Sequence, residues 1–151
     1  MEYPLQPSPT RKASSQYSDV PGYAQGLWTP SLGGNTTYVD RWGKFTSIGN
    51  LCFIRGHVGV NVLGTGNTNT LLGLPRPVLI SDILSSSPPI NISYLQSSAI
   101  NVVHAVLNSV ANTSTMVVFG LTAAGATFSI LDVFGNSTIM DFAGFYEMDL
   151  R

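Results

Sequence analysis

The feature that most constrains the fold is an alternation within residues 52–62. Cys52, Ile54, Val58, Val60 and Val62 occupy even positions, with Gly56 among them, while Arg55, His57, Gly59 and Asn61 occupy odd ones. Side chains of an extended strand point alternately to opposite faces. One apolar face and one polar face therefore mean a half-buried antiparallel strand. A second alternation lies near the end of the sequence. Met140, Phe142, Tyr146 and Met148 share one face with Gly144, and Asp141, Phe145 and Glu147 lie on the other.

Between these two stretches, apolar runs rich in Val, Ile, Thr and Phe alternate with Gly, Asn, Ser and Pro. That spacing predicts strands at about 68–73, 77–83, 90–96, 99–107, 115–121, 126–133 and 138–149. Residues 98–110 would also fit a helical stripe, but their Val content lowers helix propensity and favours a strand. Pro75, Pro77, Pro88 and Pro89 fall between strands, where a missing N–H does no harm. The expected fold is all-β: an antiparallel, jelly-roll-like β-sandwich of about eight strands. It spans residues 26–151. Residues 1–25 carry Pro4, Pro7, Pro9 and Pro21 and no apolar period. They read as a mostly irregular tether or anchoring arm, because such a segment buries too little to offset its ordering entropy.

Charge narrows the function classes. Charged residues make up 10% of the 151 residues, with a formal net charge of −1. A nucleic-acid binder needs clustered Lys and Arg to neutralise phosphates, so none is expected. No run reaches the roughly 18 apolar residues of a membrane helix. The N-terminus, Met-Glu-Tyr-Pro-Leu-Gln-Pro-Ser-Pro, lacks the basic start and apolar stretch of a secretory signal. A low-charge surface rich in Ser, Thr and Asn suits a domain much of whose surface meets identical neighbours. A homo-oligomer, a trimer first, is the expected assembly.

No constellation for catalysis stands out. His57 and His104 lie mid-strand without a ligand-spaced His, Cys or Glu, so no metal site is expected from them. Cys52, the single cysteine, sits in the apolar run Leu51-Cys52-Phe53-Ile54 and reads as a buried, inert thiol. Asp132, Asp141, Glu147 and Asp149 form the one local concentration of acids, and solvated or oligomer-facing carboxylates are the simpler reading. A calcium site from Asp132, Asn136 and Asp141 is conceivable, but the spacing matches no EF-hand loop. Gly33-Gly34 and Gly64-x-Gly66 lack the context of a phosphate cradle. No catalytic residue and no cofactor is assigned. The aromatic residues near turns, Tyr38, Trp42 and Tyr94, are the candidate contacts for a partner or sugar, although core packing is the commoner fate of such rings.

One stretch carries family information. It begins Gly26-Leu27-Trp28-Thr29-Pro30-Ser31-Leu32-Gly33-Gly34 and continues through Tyr38. It then reads Gly43-Lys44-Phe45-Thr46-Ser47-Ile48-Gly49-Asn50-Leu51-Cys52-Phe53-Ile54 and ends at Gly73-Leu74-Pro75. This order resembles a module of viral and phage tail-fibre or spike head domains, with Phe45 standing where that pattern more often has Tyr. The resemblance implies a virion structural protein: a trimeric β-sandwich head on the virion surface that binds a host receptor or glycan. Residues 1–25 would then join other virion proteins. The alternative is a carbohydrate-binding β-sandwich module without a virion role. The motif also has a physical reading. Trp28 is an anchor beside Pro30, Gly49 takes positive φ in a tight turn before the long strand, and Pro75 holds an extended connection across the sheet ends.

Overall fold

A computed structural model describes residues 22–79, 88–124 and 126–149. Nine strands form among them: β1 (Ala24–Trp28), β2 (Thr37–Ile48), β3 (Leu51–Val62), β4 (Thr70–Leu72), β5 (Ile90–Gln96), β6 (His104–Ser109), β7 (Thr115–Leu121), β8 (Ser129–Ile130) and β9 (Ile139–Glu147). All pairings are antiparallel. The strands follow the order β1-β2-β3-β9-β5-β6-β7-β4, with β8 also on β7. The sheet curls until its ends meet. Ser31, just after β1, exchanges two backbone hydrogen bonds with Leu72 of β4, at 3.1 and 2.7 Å. Curling buries the inner face as one core and shortens the open edges, as an antiparallel sandwich-like fold requires. Consecutive strands pair in β1-β2-β3 and β5-β6-β7, while β9 and β4 return from far along the chain.

The period-two reading of β3 holds in three dimensions. Cys52, Ile54, Val58 and Val60 are buried in the core. Val62 is exposed instead, at the far end of the hairpin beyond two register shifts in the β2–β3 pairing. On β9, Met140, Phe142, Tyr146 and Met148 are all buried as the alternation required. Ile48 and Leu51 pair across a two-residue turn, and Gly49 takes φ 58° at the first central position. That position of a II′ hairpin turn asks for glycine.

A close approach in the core explains two further glycines. Trp28, Gly43, Gly56 and Phe142 lie opposite one another across β1, β2, β3 and β9. A Cβ on Gly43 would run into the Trp28 indole, and one on Gly56 into the Phe142 ring. The two rings meet edge to face, with centroids 6.1 Å apart. Two large rings thus fill the space that two missing side chains leave.

Several element limits differ from expectation. The sheet starts at Ala24, inside the segment read as tether; residues 1–21 lie outside the described residues. Only Val78 of the expected 77–83 strand is described in a bridge, with Met148, and residues 80–83 lie outside the description. The 99–107 strand begins at His104, because the preceding residues are bends whose Ile100 and Val102 pack on the core from a loop. The 126–133 run yields only Ser129–Ile130, since Leu131, Val133 and Phe134 leave the sheet to plug the core.

Candidate functional site

The outer face of β2, β3, β9 and β5 gathers most of the chemistry. Register places Trp42 opposite His57, His57 opposite Asp141, and Asp141 opposite Tyr94. These four side chains form one row across four strands. Tyr94 joins it because β5 slips register between Ile92 and Tyr94: Ile92 faces inward beside Phe142, and Tyr94 returns to the outer side. Trp42 and Tyr94, far apart in sequence, therefore share one surface.

His57 is the centre of the row. Its Nδ1 lies 2.6 Å from Asp141 and its Nε2 2.9 Å from Asp40. Two carboxylate acceptors require both ring nitrogens to donate, which favours the imidazolium. Burial alone would lower the His57 pKa. The hydrogen bonds to Asp141 and Asp40, together with their charges, outweigh it and hold the pKa above its ordinary value of 6.5. Trp42 stacks on the imidazole at 6.0 Å with an interplanar angle of 9°, and the Arg55 guanidinium lies 5.6 Å from the indole centroid. Aromatic, cationic and anionic groups here brace one another, tying β2, β3 and β9 together from outside.

Beside Tyr94 the sheet opens. β5 and β6 pair only at Ile90–Leu107 and Asn91–Val106, and beyond that the strands diverge. The gap is a cleft of about 270 Å³ whose lining includes Ser93, Tyr94, Ser98, Val103 and His104. The Tyr94 hydroxyl donates to Gln96 Oε1 at one side of it.

Tyr38 does not join this face. The register slip turns it inward opposite Val60 and leaves Val39 exposed. Its hydroxyl accepts the Leu32 N–H at 2.7 Å, and Arg41 lies over its ring at 4.1 Å. It braces the loop after β1. Trp28 is a buried core residue whose Nε1 has no hydrogen-bond partner among the described residues. Pro30 is buried and its carbonyl accepts from Arg41 Nη1 at 3.3 Å. Pro75 sits in the connection from β4 toward Val78. The Tyr146 hydroxyl pins that connection by donating to the Arg76 carbonyl at 3.0 Å. Burial raises the Cys52 thiol pKa, and the nearby Tyr146 hydroxyl is likewise pushed well above its usual range by burial.

The late acids separate. Asp132 accepts from Thr68 and Asn69 at 2.6 and 2.7 Å, Asn136 accepts from the Leu63 N–H, and Asp141 faces His57. The calcium arrangement considered from sequence is not assembled, and among the described residues no group of three His, Cys, Asp or Glu side chains is arranged to hold a metal ion. His104 packs against Phe128, with ring centroids 6.2 Å apart. Asp40 is the member of the outer cluster that sequence reasoning missed. It lies on β2, before the stretch where the alternation is clear, and it reaches His57 only through the hairpin register.

No protein-family model and no curated protein matches this chain. Among solved structures, the Dettilon tailspike protein (gp208) has a similar fold, with a TM-score of 0.62 at 16% identity. The similarity covers 84% of this chain and 24% of that one. The chain thus shares its fold with one part of a tailspike protein and spans about a quarter of that protein's length.

Proposed function

We propose that this chain is a structural protein of a virion surface, the head of a spike, fibre or capsid protrusion. In this reading it works as a homotrimer, attaches to a host receptor or glycan, and joins other virion proteins through the residues that precede β1. The observation that carries the reading is the fold shared with a tailspike protein over 84% of the chain. The Trp28-Thr29-Pro30, Ile48-Gly49 and Gly73-Leu74-Pro75 pattern adds to it. The outer row is the proposed attachment surface. It presents an exposed Tyr94, a half-exposed Trp42 and fixed hydrogen-bonding groups on a rigid sheet, and such preorganised aromatics lose little entropy on binding. Weak single contacts repeated across copies would give avidity. The role is binding, with no catalytic step and no cofactor.

Gold-labelled antibody against the chain should decorate purified particles in negative stain, and the isolated protein should bind host cells. A protein found on no particle and on no cell ends this reading. The second reading is a sugar-binding module without a virion role. It draws on the uncharged cleft beside Tyr94, whose lining holds Asn, Ser and His groups of the kind that bind hydroxyls. Glycan binding together with absence from particles would favour it.

A further inference from the structure

Two carboxylates hold His57, and they hold it unequally. Asp141 lies directly opposite His57 in the β3–β9 register, on a strand flanked by β3 and β5. Its contact with Nδ1 is the shorter, 2.6 Å against 2.9 Å for Asp40 on Nε2. Asp40 reaches His57 diagonally, because its own register partner is Gly59. It stands beside the shift that skips Val39, and its side chain is 60% exposed, against 42% for Asp141. Gly59 provides the seat for the diagonal contact. A Cβ there would lie 2.7 Å from Asp40 Oδ1 and 3.4 Å from His57 Nε2. Gly59 does not take a positive φ, so what a side chain would disturb at this position is the carboxylate rather than the backbone.

We infer that Asp40, His57 and Asp141 form a pH-operated latch between β2 and β3, in which deprotonation of His57 releases Asp40 and keeps Asp141. The imidazolium has two N–H donors, one for each carboxylate, and the neutral ring has one. Once the proton leaves, one ring nitrogen turns a lone pair toward a carboxylate, and that contact becomes repulsive. The contact that survives is the shorter one, to the strand paired on both sides. Asp40 turns into water, which its exposure permits, and β2 loses a side-chain tie to β3 beside the bulge. On the outer face of β2, β3, β9 and β5, the other charged or titratable groups among the described residues are Lys44, Arg55, Glu147 and Tyr94. Lys44 and Arg55 favour loss of the proton as cations, Glu147 lies at the far end of β9 opposite Leu51, and the two carboxylates on the ring favour its retention. The latch is closed at low pH and opens as pH rises through the folded pKa, which lies above 6.5. It lies in the row proposed for attachment but does not depend on that role.

The test is nuclear magnetic resonance on the full chain, titrated from about pH 5 to about pH 9 to span the imidazole range. Imidazole nitrogen shifts show which nitrogen keeps its proton, and His57→Gln separates the His57 signals from those of His104. Amide exchange, expressed as protection factors, reads the backbone. In wild type the midpoint should lie above 6.5, with the remaining proton on Nδ1. Protection of residues 37–40 should fall across that midpoint, while protection of residues 139–143 on β9 stays constant. Asp40→Asn and Gly59→Ala should each lower the midpoint, the first by removing the charge and the second by displacing it. The double variant should lower it no further than the larger single shift, since both remove one contact.

A remaining proton on Nε2 overturns the inference, because Asp141 would then be the carboxylate released. So does protection at residues 37–40 that ignores pH, or a midpoint that Asp40→Asn leaves in place. Additive shifts in the double variant overturn Gly59 as the seat of the latch. If Gly59→Ala does not fold, Asp40→Ala, a change at an exposed position, decides the matter. It should show at the acid end the low protection that wild type reaches at the alkaline end, and wild-type protection there overturns the latch. None of these readouts involves a particle or a host cell, so their failure leaves the attachment reading standing.

Discussion

The two outer faces of this sheet rest on one core yet have opposite chemistry. The β2-β3-β9 face carries Asp40, Lys44, Arg55, His57 and Asp141, braced by Trp42. The β6-β7-β8 face carries Val106, Phe119, Phe128 and Ile130 and no formal charge. Inward, the halves are alike, with Phe142, Tyr146 and Cys52 on one side meeting Leu107, Met116 and Val118 on the other. The inner pattern is what any sandwich-like sheet needs. The outer pattern is free to vary, and it is there that the two halves differ.

That comparison can be broken at its foundation by the core. Phe142→Ala empties the space over Gly56 and should cost about 3–5 kcal/mol, and Met116→Ala in the other half about 2–5 kcal/mol. Each variant should melt in a single calorimetric transition shifted to lower temperature. Two separated transitions would mean that the halves are independent units and that the shared core is an illusion. Gly56→Ala approaches the same ring from the opposite side. Its Cβ would overlap Phe142, and overpacking of this kind costs about 1–3 kcal/mol in denaturant titration. A neutral result would show the ring to be free to move.

Smaller effects sharpen the outer contrast. Gly49→Ala forces an alanine to φ 58° in open space, so only backbone strain counts, about 1–2 kcal/mol. His57→Gln should reveal a pH signature confined to the charged face. The His57 pKa is raised in the folded state, so its stabilisation is fully present below its ordinary value of 6.5 and is lost as pH rises through the folded pKa. The gap in melting temperature between wild type and this variant should therefore shrink from pH 5.5 to pH 8.5, a window set at roughly the imidazole range. Phe128→Ser on the uncharged face should show no such trend. A gap that widens with pH would reverse the assignment of His57 as imidazolium.

Sequence reading succeeded where period two was uninterrupted. On β3 and β9 the alternation alone named Cys52, Ile54, Val58, Phe142 and Tyr146 as core, and each is buried. The strand limits 90–96 and 115–121 also match β5 and β7. It failed where a few residues break step. The register slip at Val39 turns the contact candidate Tyr38 inward, and a bulge leaves no compositional mark. It also overextended β8, because Leu131, Val133 and Phe134 are as apolar as strand residues but serve as a plug.

The amino-acid order by itself determined that the chain is antiparallel β, which faces of β3 and β9 are buried, and that Gly49 turns the hairpin. Each of these depends on neighbours a few positions apart, where side-chain alternation and backbone sterics act directly. Only the tertiary structure decided that Trp42, His57, Asp141 and Tyr94 stand in one row, that Asp40 completes the His57 pair, and that β5, β6, β7 and β8 lie side by side. Those facts depend on which strands become neighbours, and pairing between residues 40 and 141 is set by the packing of the whole sheet.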